Sequence, residues 1–157
     1  QFAKMAGIRT ILTSSSEEKL TRAKTLGAND LVNYRQHPDW EKNVMDLTDG
    51  RGVDLVIEVG GAGTLEKSAL SVRIGGRISL IGILSGGQID PTVFMRKSIT
   101  LKGVYVGPCD MFRAMNAALV HNDIHPVIDA TVDFANAQEA YRMMEKATHF
   151  GKIVINI

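Results

Sequence analysis

The chain has 157 residues, 45% of them hydrophobic and 22% charged, with a net charge of +1. That is about one soluble globular domain's worth of chain, and so balanced a charge excludes the one-signed field that nucleic acid or an acidic membrane would require. No apolar run approaches the ~18 residues of a bilayer span, and a single cysteine, Cys109, excludes an internal disulfide or a cysteine-rich zinc site, which makes a reducing, cytoplasmic compartment the expectation.

The sequence opens on Gln1 rather than Met, and QFAKMAG has the spacing of the last turns of a helix closed by Gly7. The expectation is a stretch of a longer polypeptide. Apolar runs and helical patterns then alternate. Residues 8–13 (IRTILT) read as a short strand, 17–28 as a helix ended by Gly27, and 30–34 (DLVNY) as a second strand. Residues 40–52 read as a helix closed by Gly50. The near-continuous apolar run 53–61 (VDLVIEVGG) reads as a strand covered on both faces. A helix over 64–72, a covered strand over 76–84 and an edge strand over 98–107 follow. The amphipathic helix 110–122, a strand over 127–134, a helix over 135–147 and a last strand over 152–157 complete the pattern.

Strand–helix–strand repetition with short Gly and Asp turns predicts an α/β fold with a mostly parallel sheet and helices on both faces. Pro126 and the alternating run after it break the rhythm, so the division falls into residues 1–125 and 126–157. Open parallel sheets take ligands beyond the carboxyl ends of their strands. The residues to scrutinise are therefore Ser14–Ser16, Asn33–Arg35, Gly60–Gly63, Gly82–Gly87 and Gly107.

TILTSSSEEK raises a particular question, because an apolar run stops on three serines. One answer is helix capping, with Ser15-x-x-Glu18 or Ser14-x-x-Glu17 as a capping box. The other is a ligand. In dinucleotide folds the second strand usually ends on an acid that binds the ribose hydroxyls of NAD. Ser14 follows the run 8–13 without a charge that would repel a 2′-phosphate. Elsewhere, Glu58 lies inside a buried run and needs a partner, for which Arg77 and Lys102 are the candidate cations. The four histidines lack ligand spacing, no Ser/His/Asp set suggests hydrolysis, and no metal or catalytic residue is expected in this chain.

The blocks TSSSEEKLTRAKTLGANDLVNY, VDLVIEVGGAGTLEKSA, GGRISLIGILSG, SITLKGVYVGP and HFGKIVI resemble the medium-chain dehydrogenase/reductase superfamily, nearest its zinc-type alcohol dehydrogenases and quinone oxidoreductases. The resemblance covers essentially the whole chain and implies that the run 8–13 takes the second strand's place. It implies a Rossmann-like doubly wound parallel sheet, here without its first, central strand and the GxGxxG loop; GGAGTL at 60–65 follows a later strand and lacks the third glycine. Strands on either side of that missing strand would carry unpaired backbone edges, so the domain is not expected to be stable by itself.

The resemblance further implies NADP(H), over NAD(H), as cofactor. Ser14, Ser15, Lys19 and Tyr34 would hold the phosphorylated adenosine, and Val59, Gly60, Gly61, Ile81, Gly82, Ile83, Val104 and Val106 the nicotinamide half. Lys152 would reach the pyrophosphate. It also implies hydride transfer to or from an alcohol or carbonyl, zinc only in an amino-terminal catalytic domain outside these residues, and a homodimer through strand 98–107. Residues 126–157 would return toward that catalytic domain. A zinc-free quinone or enoyl reductase and a non-catalytic nucleotide-binding domain are the alternatives.

Overall fold

The computed structural model describes residues 1–157, which form two compact units, Gln1–Cys109 and Asp110–Ile157. In the first, α1 (Phe2–Met5) leads to β1 (Ile11–Ser14), α2 (Glu17–Thr25), β2 (Asp30–Asn33), α3 (Trp40–Leu47) and β3 (Val53–Glu58). Then come α4 (Ala62–Ser71), β4 (Val72–Leu80), α5 (Thr92–Arg96) and β5 (Thr100–Gly103). All strand pairing is parallel, as the alternation of strands and helices predicts.

The strands form two sheets, β1–β2 and β3–β4–β5. β1 and β3 do not pair, so each keeps one backbone edge without a strand neighbour. The run 53–61 is expected to be covered on both faces, and here the structure differs: Leu55 is 50% and Ile57 57% exposed. The apolar composition is that of a fully buried strand, but this chain covers only one face of β3.

Helix α4 organises the core. Its Leu65 and Ala69 pack with Val72 and Ile78 of β4 at 1% exposure or less, and Val53, Val56, Val93, Phe94 and Ile99 close around them. Burying a side chain such as Leu65 is worth about 1.5–3 kcal/mol. A smaller apolar group, Leu20, Ala23, Val32 and Val44, lies where α2 and α3 pack on β1 and β2.

The junction of α4 and β4 departs from expectation. The strand begins at Val72, inside the predicted helix, and ends at Leu80, before Ile81–Leu84. No turn residue separates the two elements; Lys97 secures the join instead. Its ammonium donates to the carbonyls of Val72 at 2.7 Å, Ala69 at 3.3 Å and Leu70, at the helix end where a cation is favourable. Burial pulls this lysine below its ordinary 10.5. On the neighbouring strand, the guanidinium groups of Arg51 and Arg73 both bond Asp54 and hold its carboxyl well below the usual carboxylate range.

The second unit carries helix α6 (Cys109–His121), which begins on the last residue of the first unit. There β6 (Ile128–Asp133) and β7 (Lys152–Asn156) pair in parallel, joined through a 3-10 turn, Phe134–Asn136, and helix α7 (Ala137–Lys146). Helix α7 packs on both strands and buries Ala140.

Candidate cofactor site

The carboxyl ends of the strands gather the predicted residues into two groups. The first lies on β1 and β2, whose register sets Ser14 against Asn33. The backbone N–H of Tyr34 then donates to the Ser14 carbonyl at 3.1 Å, so this serine and this tyrosine sit on adjacent strands. The helix cap is Ser16 rather than Ser14 or Ser15: its hydroxyl accepts from the Lys19 N–H at 3.3 Å. Neither predicted capping box forms, because β1 runs through Ser14 and pushes the cap onto the last serine. Ser14 Oγ in turn accepts from the Ser16 N–H at 3.2 Å. Both hydroxyls spend acceptor capacity on the backbone and keep their own O–H to donate.

The second group lies where β3 and β4 end. Glu58 is 3% exposed, and its partners are neutral donors rather than the predicted Arg77 or Lys102. Oε1 accepts from the N–H groups of Gly60 at 2.7 Å and Gly61 at 3.2 Å and from the Thr64 hydroxyl at 2.6 Å; Oε2 accepts from the Ser68 hydroxyl. Thr64 and Ser68 are four residues apart, hence on one face of α4. That Thr-x-x-x-Ser spacing six residues after a buried acid is the sequence signal for hydroxyl rather than cationic partners.

The carboxylate thereby fixes the chain from β3 into α4. Across from it, Gly61 takes φ +93, and a Cβ there would lie 2.9 Å from the Ser85 carbonyl oxygen. Gly82 runs so close to β3 that a Cβ would come within 1.7 Å of the Val59 carbonyl oxygen. Ser85 stitches the two loops: its hydroxyl accepts from the Gly63 N–H at 2.8 Å and donates to the Gly60 carbonyl at 3.0 Å. Val59–Gly61 and Ile81–Ile83 therefore form one rigid ledge. Val104 extends the β4–β5 pairing alongside, its N–H donating to the Leu80 carbonyl at 2.9 Å, and Val106 lies two residues beyond.

The ledge leaves apolar side chains open, with Val59 at 55%, Ile83 at 86% and Val106 at 76% exposed. Apart from Glu58, whose oxygens are occupied, it carries no carboxylate, amine or thiol. It is an apolar and backbone surface that supplies no acid or base. Lys152 opens β7 in the second unit. No three His, Cys, Asp or Glu side chains come together so that they could hold a metal ion.

The zinc-binding dehydrogenase family profile matches residues 1–122, and the chain belongs to that family. It is 38% identical to a zinc-type alcohol dehydrogenase-like protein of Schizosaccharomyces pombe, over 100% of this chain and 47% of that protein. A structure described as an alcohol dehydrogenase from Sinorhizobium meliloti superposes with TM-score 0.91 at 36% identity, covering 100% of this chain and 46% of the other. A mycobacterial protein solved with NADPH superposes at TM-score 0.85 and 27% identity, covering 99% and 51%. The chain thus spans about half the length of the relatives it matches, and its fold is Rossmann-like.

Proposed function

We propose that this chain binds the nicotinamide dinucleotide, NADP(H) over NAD(H), of an oxidoreductase that moves a hydride between nicotinamide and an alcohol or carbonyl carbon. The cofactor supplies the hydride chemistry. The ledge residues Val59, Gly60, Gly61, Ile81, Gly82, Ile83, Val104 and Val106 seat the nicotinamide half, and Ser14, Ser15, Lys19 and Tyr34 the adenosine. Lys152 serves the pyrophosphate, residues 126–157 form the return segment toward a catalytic domain, and two copies pair through 98–107, where all four residues of the outer strand β5 are exposed.

The observation that carries the reading is Ser14, whose hydroxyl ends β1 with a proton to donate where an NAD-specific fold carries an acid. The residues suit the group, because a hydroxyl donates to a 2′-phosphate and a carboxylate repels it. A Rossmann relative solved with NADPH supports the same choice, while an NAD-dependent alcohol dehydrogenase at 34% identity marks the competing one. A second reading, a zinc-free quinone or enoyl reductase, is supported by a mycobacterial quinone oxidoreductase at 26% identity and TM-score 0.81.

The test is a titration of NADPH and NADH by nicotinamide fluorescence on the full-length natural protein and its Ser14→Asp variant. A carboxylate ~4 Å from a phosphate costs about 1 kcal/mol per charge pair in water-like surroundings and about 4 at intermediate dielectric. NADPH affinity is expected to fall at least about fivefold while NADH affinity holds. Unchanged NADPH binding in the variant removes the phosphate pocket; binding of neither nucleotide by the natural protein removes the whole reading.

A further inference from the structure

Glu17 opens α2 three residues after Ser14 and is an exposed residue. Its carboxylate is nevertheless held. Oε1 accepts from Nδ2 of Asn33, the last residue of β2, which is only 7% exposed. The Asn33 amide is itself fixed, because its Oδ1 accepts from the Arg35 N–H at 3.0 Å. Asn33 is the register partner of Ser14, and residues in register on paired strands send their side chains to the same face of the sheet. The bond therefore keeps a negative charge beside the Ser14 hydroxyl, one side chain away. Oε2 of Glu17 makes no hydrogen bond or ion pair and stays open as an acceptor.

We propose that Glu17 is a specificity-determining residue that narrows the preference for NADP(H) and admits NAD(H): its open carboxylate oxygen accepts from the adenosine ribose hydroxyls of NAD(H) and opposes a 2′-phosphate. This rests on the cofactor reading above. Ribose hydroxyls both donate and accept, and Ser14 O–H with Glu17 Oε2 offers one donor and one acceptor. A phosphate takes only donors and meets a like charge. An untethered glutamate on a helix surface swings clear of an anion at little cost, whereas one bonded to a buried amide must first give up that bond. Glu18, exposed beside it, has no such tether. The acid that NAD-binding folds carry at the end of the second strand is thus supplied here from the first turn of the helix that follows.

The test titrates NADPH and NADH by nicotinamide fluorescence on the full-length natural protein and its Glu17→Gln and Glu18→Gln variants. Glutamine keeps a carbonyl oxygen for Asn33 and removes only the charge, so the exposed site is expected to keep its fold. Glu17→Gln is expected to raise NADPH affinity about three- to tenfold and to weaken NADH about two- to fivefold. Glu18→Gln is expected to move the NADPH/NADH ratio less than about twofold. Added salt shrinks the NADPH gain of Glu17→Gln, because screening relieves the repulsion already present in the natural protein. An unchanged or lowered ratio in Glu17→Gln, an equal loss of both nucleotides, or an equal effect from Glu18→Gln overturns the proposal, while NADPH binding by the natural protein leaves the cofactor reading standing. Failure of the natural protein to bind either nucleotide overturns the cofactor reading and this proposal together.

Discussion

Replacing Glu58 with leucine removes the acceptor shared by Gly60, Gly61, Thr64 and Ser68. The cost follows from where each donor goes next. The Thr64 hydroxyl already lies 3.3 Å from the Gly61 carbonyl and falls back on it, while Gly60 is half-buried and finds water. Gly61 N–H and the Ser68 hydroxyl, on a residue 1% exposed, are left orphaned. Two orphans at about 1–3 kcal/mol each give about 2–6 kcal/mol. Ser68 turns toward the carbonyl one helical turn back and recovers part, which brings the expectation to about 2–4 kcal/mol. Glutamine retains one carbonyl oxygen for the Gly60–Gly61–Thr64 side but sets an NH2 where Oε2 accepted from Ser68, whose hydroxyl then turns to accept, so Glu58→Gln costs about 1–2 kcal/mol. Urea denaturation of the full-length protein measures both variants, and amide exchange at Gly61 reports the loop directly. A leucine variant within about 0.5 kcal/mol of the natural protein, with Gly61 protection unchanged, refutes the account of Glu58 as the anchor of this loop.

Gly82→Ala sets a methyl group 1.7 Å from a backbone oxygen and is expected to cost about 3 kcal/mol or more, whereas Gly86→Ala meets nothing within 4 Å and stays within about 0.5; thermal melts of the pair separate close packing from a general intolerance of the loop. Lys97→Met leaves the last carbonyls of α4 without their donor and lowers stability by about 1–2 kcal/mol in the same assay. Asp54 has a folded-state pKa below its ordinary 3.8 because Arg51 and Arg73 bond its ionised form. Its contribution is full above 3.8 and fades as pH falls through the depressed value. Asp54→Asn therefore destabilises near neutrality, and its deficit against the natural protein shrinks in acid titrations below pH 3.8.

The order and type of the long elements, and the parallel pairing, were legible because period and punctuation agree: helices 17–28 and 110–122 and strands 30–34 and 127–134 land within a few residues of where the chain forms them. The α4–β4 join was not. Val72 is equally at home in a helix and in a strand, and the cue that ends the helix, Lys97, arrives 25 residues later in sequence. Short α5 has too few residues for a periodic signal. Three consecutive serines offer equivalent caps, and only the length of β1 chooses among them. At Glu58 the burial was readable but the partners were not, since a buried acid prompts a search for cations and here hydroxyls and amides suffice. Asn33 gave no sign beyond its place at a strand end, because its side-chain partner, Glu17, lies 16 positions earlier.

Strands β1 and β3 each present a bare ladder of peptide groups on one side, flanked on β3 by open Leu55 and Ile57. Water solvates such a ladder until another extended segment arrives, and any passing segment of suitable sequence qualifies. Residues 1–157 produced by themselves would thus be prone to stick to one another edge to edge, at a rate that climbs with concentration. A strand supplied in trans as a peptide would be expected to keep the preparation clear.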